Sequence, residues 1–364
     1  MRNFCLIAIG LFCCCFVMAQ SDVDHHTNVI AYYAGPPSMV DSFAIEKITH
    51  IIFSFGHLKG DSMFISNARD SSTIIKLVAL KARNPKLKVM LSMGGWGGCA
   101  TCSEVFADEE KRKVFAQTVK DLSDYFHTDG IDLDWEYPAT PGFPGHQYSP
   151  EDRPNFTKLM KQLRRTLGKN AQISFAAGGQ KEQIDSSFEW KKVMRYANRV
   201  NLMSYDLVSG FATTSGHHTP LYSTPLQRPS VDYGVQYLEK LAVPANKIAI
   251  GAAFYARIFA NTVDANDGLY QPTHFLRGVS YKDFDHELSK TDGYVYHWDP
   301  IAQAPYLYNQ AEKYFVTFDD SHSIQLKTQY VIEKGLNGIM FWQLTDDAVR
   351  SGLLEVIDSV NNKR

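Results

Sequence analysis

Short apolar runs alternate with segments of helical periodicity along almost the whole chain. Eight of these runs are rich in Val, Ile and Phe and have the length of buried strands. They cover residues 29–35, 49–56, 88–95, 130–137, 172–179, 199–207, 247–256 and 336–344. Amphipathic segments cover residues 71–84, 109–126, 154–167, 230–241 and 352–360. Strands that alternate with helices predict parallel β/α units, and eight such units close a barrel. The pattern therefore predicts an α/β fold of the (β/α)8, or TIM barrel, class.

One connection is too long for a single crossover helix. Residues 258–313 follow the seventh predicted strand, are rich in aromatic residues and contain short runs typical of strands and small helices. We predict a small α+β insertion there. Because segments that follow the strands of a barrel lie on its carboxyl-terminal face, where active sites of this fold are built, the insertion is expected to lie beside the site.

The first residues have the pattern of a cleavable signal peptide. Arg2 supplies a positive charge, residues 4–18 are apolar, and Val17 and Ala19 are the small residues that precede a cleavage point. The apolar run is shorter than the roughly 20 residues that a membrane-spanning helix needs. We therefore expect a secreted or periplasmic protein that is not attached to a membrane after cleavage.

Removal of residues 1–19 leaves a single domain at residues 20–364 and two of the six cysteines, Cys99 and Cys102. In an exported protein this spacing favours a local disulfide. The loop that it closes is so short that the bond would fix a turn rather than add much global stability. Two free thiols, or a metal or redox site, remain the alternatives.

Composition and charge narrow the possible classes of protein. The chain has 364 residues, of which 45% are apolar, so it can bury a large core. Its net charge is −2 and it has no run of Lys or Arg, so nothing indicates a nucleic-acid partner.

The run at residues 130–137 carries an acid at every second position: Asp132, Asp134 and Glu136. Successive side chains of a strand point to opposite faces, so the three carboxyls share one face, spaced about 6.6 Å apart, and face the interior of a barrel. Burying an unpaired carboxylate is costly. Like charges this close cannot all ionise, so at least one pKa must rise. A carboxyl that stays protonated near neutral pH is what a general acid needs.

Two other interpretations of these acids are weaker. A solvated edge strand does not fit the apolar residues between the acids or the following Pro138. Ligation of Ca²⁺ or Mg²⁺ usually draws on a flexible loop as well, and none is evident beside this run. The sequence therefore favours a catalytic site without a metal ion or another cofactor.

Five motifs carry a resemblance to a known family. The segment DGIDLDWEYP at residues 129–138 matches the signature of glycoside hydrolase family 18, the retaining chitinases, residue by residue. Further segments that resemble the family lie at residues 92–96 (SMGGW), 203–206 (MSYD), 254–257 (FYAR) and 338–342 (GIMFW). The family usually has Gly at the position of Ala256. The resemblance covers the whole chain after the predicted signal peptide, and the motifs fall at the carboxyl ends of predicted strands.

The resemblance implies a mechanism with one acid and no protein nucleophile. Glu136 would protonate the glycosidic oxygen and later act as base for water. The N-acetyl oxygen of the substrate would attack the anomeric carbon, an exception to the usual pair of carboxylates. Asp134 would hold the acetamido N–H, and Asp132 would share a proton with Asp134. Tyr205 would orient the acetamido oxygen.

The resemblance also implies sugar-binding residues. Trp342 would form the floor beneath the sugar at the cleavage site, and Trp96 a platform on the leaving-group side, because sugar C–H faces stack on aromatic rings. The other positions that match the family around the bound sugar are Tyr32, Phe53, Met203, Asp206, Tyr255 and Arg257. Core packing is the alternative role for the apolar and aromatic members of this set.

His217 and His218, which follow the sixth strand, have no evident third ligand for a metal, and we expect them to pack a loop. Trp298, in the insertion, fits a structural role as well as a sugar-binding one.

Three functions compete. The first, a monomeric chitinase that cleaves β-1,4-linked N-acetylglucosamine polymers or oligomers, is favoured because the insertion walls one side of the cleft in the chitinases that the chain resembles. The second, an endo-β-N-acetylglucosaminidase acting on N-linked glycans, is less favoured because such enzymes mostly lack the insertion. The third, a non-catalytic chitin-binding protein, is least favoured because Glu136 is present.

Overall fold

The computed structural model describes residues 27–261 and 263–363. The signal peptide predicted over residues 1–19 lies outside the described residues.

Eight parallel strands form a closed barrel, which confirms the predicted fold class. The barrel strands are β1 (Asn28–Tyr33), β2 (His50–Lys59), β4 (Lys88–Gly94), β5 (Gly130–Asp134), β6 (Gln172–Gly178), β7 (Arg199–Met203), β8 (Ile248–Ala253) and β14 (Gly338–Trp342). Each pairs with the next in this order, and β14 pairs with β1 to close the ring. A short strand, β3 (Ser62–Phe64), extends β2 as an antiparallel hairpin.

Helices surround the barrel. They are α1 (Ala68–Ala79), α2 (Cys102–Ala107), α3 (Glu109–Phe126), α4 (Asp152–Leu167), α5 (Lys181–Ser186), α6 (Trp190–Val193), α7 (Val231–Lys240), α9 (Ser321–Glu333) and α10 (Leu353–Asn361). Four of the longer helices, α1, α3, α7 and α9, begin at capping side chains. Asn67 accepts from the backbone of Asp70 at α1, and Asp108 accepts from Lys111 at α3. These caps satisfy backbone donors that the first turn leaves free.

The insertion is an antiparallel sheet that continues directly from the seventh barrel strand. Its strands are β9 (Tyr255–Asn261), β10 (Thr273–Ser280), β11 (Tyr294–Asp299), β12 (Ala304–Asn309) and β13 (Tyr314–Thr317), with the short helix α8 (Phe284–Glu287) after β10. The strand order is β10-β9-β13-β12-β11. This sheet extends a few residues beyond the predicted bounds, 258–313, at both ends.

The apolar side chains pack in two main layers. The larger cluster lies between the strands and the helices, and a smaller one fills the barrel interior. The interior cluster consists of Ile30, Tyr32, Ile52, Met90, Ala176, Met203, Ala249 and Met340. The interior cluster packs against Tyr137, Tyr205 and Trp342, and the sequence analysis placed the last two of these at the site.

Candidate active site

Strand β5 and the two residues that follow it direct their acids into the barrel, as the alternation predicts. Asp132, Asp134 and Glu136 are 0%, 5% and 9% exposed. The residues between them point outward, and the ring of Trp135 packs against Phe106 of α2 at 5.7 Å. The three acids therefore lie in a protein interior, where their protonation depends on their partners.

Asp132 is the most fully hydrogen-bonded of the three acids. Its Oδ1 accepts from Ser174 Oγ at 2.6 Å and from Asn201 Nδ2 at 3.0 Å. Its Oδ2 accepts from Tyr32 OH and Ser92 Oγ, both at 3.0 Å. Burial raises the pKa of Asp132, and these hydrogen bonds oppose that rise. Four donors favour the ionised form of this carboxyl.

Asp134 has the opposite environment. Within the described part of the chain its buried Oδ1 has no hydrogen-bond partner. Burial raises the pKa of Asp134 well above its usual range, and the negative charges of Glu136 and Asp132 add to the effect. An unpaired charge here would be costly, so of Asp132 and Asp134 it is Asp134 whose carboxyl is favoured in the protonated form.

Glu136, at the end of the row, is poised to titrate near neutral pH. Burial raises the pKa of Glu136 to about 7; a hydrogen bond with Tyr137 lowers it and the charge of Asp206 raises it. A carboxyl with this pKa can donate a proton and later accept one near neutral pH, as a general acid and base must.

Asp206 joins the barrel to the insertion. It follows β7 with a left-handed backbone, φ 56°, and accepts from Tyr255 OH at 2.7 Å. Arg257 Nε and Nη2 each donate to it at 2.5 Å. Burial would raise the pKa of Asp206, but nearby His218 and Arg257 outweigh it and lower the value. Asp206 is therefore a fixed negative charge facing Glu136.

Trp342 ends the eighth barrel strand and lies against two other rings. Phe55 stacks on it with ring centroids 5.6 Å apart and planes inclined by 15°, and Tyr32 lies at 5.9 Å. The assignment of Phe53 to the sugar site is not supported by its position, because Phe53 is 3% exposed and packs in the cluster between barrel and helices. The assignment rested on the match of this position to the family, but in the structure the neighbouring Ile52, not Phe53, packs in the barrel interior.

Trp96 lies on the rim and is 48% exposed. Its ring is 5.6 Å from that of Phe143, after β5, and 6.2 Å from that of Phe211, after β7. The turn that follows Trp96 carries a disulfide between Cys99 and Cys102. These rings form an aromatic rim from three separate loops.

The glycines before Trp96 allow β4 and β5 to approach closely. Gly94 has φ 118°, and a Cβ atom there would lie 2.1 Å from the carbonyl oxygen of Asp134. The backbone of Gly95 donates to that same oxygen at 2.8 Å. A larger residue at position 94 would therefore displace the strand that carries the acids.

Tyr205 and Met203 lie at the carboxyl end of β7. Met203 packs in the barrel interior. Tyr205 OH is 3.9 Å from Met340 Sδ, and its ring lies 6.2 Å from that of Tyr255. The structure thus gathers the predicted residues other than Phe53 at the carboxyl-terminal end of the barrel or on its rim.

Several residues of the site were not found from the sequence. Ser174, Asn201, Tyr137 and Phe55 are common residue types whose roles depend on contacts between strands, and only strand register could have indicated them. His218 is buried behind Asp206, its Nδ1 3.5 Å from Oδ1 of that residue, so it lies closer to the site than loop packing suggests.

Across residues 27–261 and 263–363 no group of three or more His, Cys, Asp or Glu residues is arranged to hold a metal ion. No helix in the same ranges is long and apolar enough to cross a membrane.

Comparison with known proteins gives concordant matches. A family model described as Glycosyl hydrolases family 18 matches residues 21–347. Chitinase A1 of Niallia circulans is 32% identical over 301 residues, covering 76% of this chain and 43% of that protein. Probable chitinase 2 of Drosophila melanogaster is 29% identical over 335 residues, covering 85% of this chain and 68% of that protein. The chain thus spans less than half of the Niallia circulans protein.

Among solved structures, a family 18 N-acetylglucosaminidase from Paenibacillus barengoltzii is 33% identical with a TM-score of 0.83. The alignment covers 92% of this chain and 99% of that one. The Paenibacillus barengoltzii enzyme therefore matches this chain along nearly its whole length.

Proposed function

This chain belongs to the glycosyl hydrolases family 18, and we propose that it hydrolyses β-1,4 bonds between N-acetylglucosamine units of chitin or chito-oligosaccharides. The observation that carries the proposal is the row of three acids on β5 and just after it, each in a different environment. Asp132 has four donors, Asp134 has an orphaned oxygen, and the pKa of Glu136 is raised to about 7. The chitinases among its relatives support the choice of substrate.

The reaction proceeds with retention and with help from the substrate. Glu136 donates its proton to the glycosidic oxygen as the bond from that oxygen to the anomeric carbon breaks. The carbonyl oxygen of the 2-acetamido group attacks the same carbon and forms a cyclic oxazolinium ion. Glu136, now a carboxylate, removes a proton from water, which attacks the anomeric carbon and opens the ring.

Asp134 and Tyr205 select the acetamido group. Asp134 accepts a hydrogen bond from the acetamido N–H, and the negative charge of the Asp132–Asp134 pair offsets the positive charge of the oxazolinium ion. Tyr205 donates to the acetamido oxygen and fixes its direction of attack. Trp342, backed by Phe55, stacks under the reacting sugar.

The test is hydrolysis of chitohexaose by the wild type and by Glu136→Gln. We expect soluble shorter oligomers from the wild type and at least a ~100-fold loss of kcat in the variant, since one general acid is removed. Binding of the oligomer should be retained. Glu104→Gln, at an exposed position on α2, is the matched control. If the wild type leaves chitohexaose intact but cleaves an N-linked glycan, the proposed function is wrong and the protein is an endo-β-N-acetylglucosaminidase.

Release of single N-acetylglucosamine units is a second candidate. It is favoured by one observation, the alignment along 99% of the chain of the Paenibacillus barengoltzii N-acetylglucosaminidase. A product time course separates the two. Monosaccharide as the first product supports the second candidate, and di- and trisaccharides support the first.

Export is part of the proposal. The signal sequence predicted at residues 1–19 would deliver the enzyme to a compartment that permits the Cys99–Cys102 disulfide. Sequencing the amino terminus of the protein recovered outside the cytoplasm checks this.

A further inference from the structure

A buried guanidinium lies beneath the catalytic acids. Arg199 begins β7, points into the barrel and is 2% exposed. Its Nε donates to Asn201 Oδ1 at 3.3 Å, and its Nη2 lies 3.2 Å from Met90 Sδ. No carboxylate of the described residues lies in direct ion-pair contact with it. A buried charge with such weak partners needs compensation from further away.

Asn201 connects this charge to Asp132. The side-chain oxygen of Asn201 accepts from Arg199, and its Nδ2 donates to Asp132 Oδ1 at 3.0 Å and to Tyr32 OH at 3.0 Å. The amide dipole of Asn201 therefore lies between the two charges, with its oxygen toward the guanidinium and its NH2 group toward the carboxylate. Strand register agrees, because Arg199 and Asp132 both pair with Ser174 of β6.

The other titratable groups around Arg199 do not supply a competing charge, so Arg199 is the cation that acts on Asp132 from the amino-terminal side of the barrel. His50, from β2, is neutral because burial, then the charges of Arg199 and Lys88, lower its pKa to about 2. Lys88, from β4, pairs with Asp129 at 3.5 Å and is 45% exposed. Tyr32, from β1, has a pKa raised by burial and stays neutral.

The guanidinium keeps its charge at neutral pH, because the intrinsic pKa of an arginine side chain is far above neutrality. A cavity of about 480 Å³ opens at the amino-terminal end of the barrel, and Arg199, His50 and Lys88 line it. Burial lowers the pKa of Arg199 only to about 10, so the group is protonated at neutral pH.

We propose that Arg199 is a positioning residue that acts through Asn201 to hold one negative charge on the Asp132–Asp134 pair while Glu136 remains protonated. The inference rests on the proposed function and adds a residue that no substrate touches. Its consequence is a wide pH range in which the pair is singly ionised and the general acid still carries its proton.

The direction of the effect follows from charge. A cation near Asp132 favours the ionised pair, so removing it makes the pair take up its second proton at higher pH. The pair then loses its negative charge, and with it the stabilisation of the oxazolinium ion. The acid limb of kcat/KM therefore moves toward neutral pH, while the alkaline limb, set by Glu136, stays where it is.

The experiment is the pH profile of kcat/KM on a fluorogenic chitotrioside. Arg199→Gln should raise the midpoint of the acid limb by about one pH unit, the lower end of the effect of an opposite charge. Arg199→Lys should largely restore the wild-type midpoint. Arg112→Gln is the matched control, because Arg112 is also buried but, among the described residues, donates only to the carbonyls of Phe106 and Ala107. It should lower stability without moving the limb.

Each outcome decides one claim. If Arg199→Gln does not fold, Arg199→Met is the second neutral variant and gives the same comparison. A neutral variant with the wild-type acid limb overturns the inference, as does an equal shift in Arg112→Gln. A wild type that is inactive on chito-oligosaccharides overturns the proposed function instead.

Discussion

Asp132, Asp134 and Glu136 share one sequence pattern, but the partners that distinguish Asp132 from Asp134 come from other strands. Asp132 is surrounded by donors from β1, β4, β6 and β7, whereas the buried Oδ1 of Asp134 has no donor among the described residues and lies near the charges of Glu136 and Asp132. Period-two spacing could predict that the acids face inward and that at least one pKa rises. It could not assign the proton, because that depends on Ser174 and Asn201, which no sequence signal distinguishes from ordinary strand residues.

The raised pKa of Glu136 gives a prediction for activity against pH. The general acid must be protonated, so kcat/KM should fall as pH rises through about 7, the value to which burial raises this group. A profile on a fluorogenic chitotrioside between pH 4 and pH 9, taken to span both limbs, measures it. An alkaline limb that is unchanged in position after Asp206→Asn would show that Asp206 does not contribute to the raised value.

The raised pKa of Glu136 also predicts that the protein loses stability as pH rises. The folded state binds the Glu136 proton more tightly than the unfolded chain, so its contribution is favourable at low pH and is lost as pH rises through about 7. Glu136→Gln removes the buried charge and should therefore raise Tm relative to wild type more at pH 8 than at pH 5. Thermal unfolding at both values checks this. Equal differences at the two pH values would contradict it.

Phe53 and Phe55 offer a contrast between two residues of one strand. Phe55→Ala removes the ring behind Trp342 and should raise KM for chito-oligosaccharides several-fold, since a ring pair contributes about 0.5–1.5 kcal/mol. Phe53→Ala should instead lower the free energy of unfolding by about 3–5 kcal/mol, because it leaves a cavity in the core. Steady-state kinetics and urea unfolding of both variants distinguish the roles. A KM effect confined to Phe53→Ala would reverse the assignment.

At the scale of elements, the eight strands and the longer barrel helices could be predicted because their apolar periodicity is strong. Helix α9 was not predicted, and its buried face explains why. Its buried face includes three polar residues, Ser323, Lys327 and Thr328, at positions that are apolar in a typical amphipathic helix. Short helices such as α5 and α6 also lack the length that makes a period visible.

The buried polar face of α9 holds the junction between barrel and insertion. Lys327 Nζ donates to both oxygens of Asp319 at 2.7 Å and to Thr219 Oγ1 at 2.6 Å, and all three residues are buried. Asp319 also accepts from the backbone of Ala253, the last residue of β8. One ion pair therefore ties α9 to the end of the seventh barrel strand.

Breaking this pair should be costly. Lys327→Ala leaves a buried carboxylate unpaired and is expected to lower the free energy of unfolding by about 3–5 kcal/mol. Lys120→Ala, which breaks an exposed ion pair with Asp124, should cost less than about 1 kcal/mol. Urea unfolding measures both. Adding Asp319→Asn to Lys327→Ala should recover part of the loss, and no recovery would show that the cost comes from packing instead.

At the scale of the molecule, the site belongs to neither the barrel nor the insertion alone. Asp206 comes from a barrel strand end, while Tyr255 and Arg257 come from the first strand of the insertion. The insertion sheet also packs against Val208 and Ala212, on either side of Phe211. The loop that carries Phe211 is thus held by the insertion and presents its ring to Trp96.

This arrangement predicts that the aromatic rim acts on long substrates. Phe211 is 70% exposed, so Phe211→Ala should leave stability unchanged. If a sugar on the leaving-group side stacks on this rim, the variant should raise KM for chitohexaose by roughly 2- to 10-fold, the equivalent of one aromatic contact. Hydrolysis of a short fluorogenic chitobioside, which does not extend to the rim, should stay at the wild-type rate. Tyr125→Ala, an equally exposed aromatic residue on α3, is the control. If Phe211→Ala changes the hydrolysis of both substrates equally, Phe211 affects the catalytic acids and does not bind the sugars on the leaving-group side. The aromatic rim would then not be part of the substrate-binding cleft.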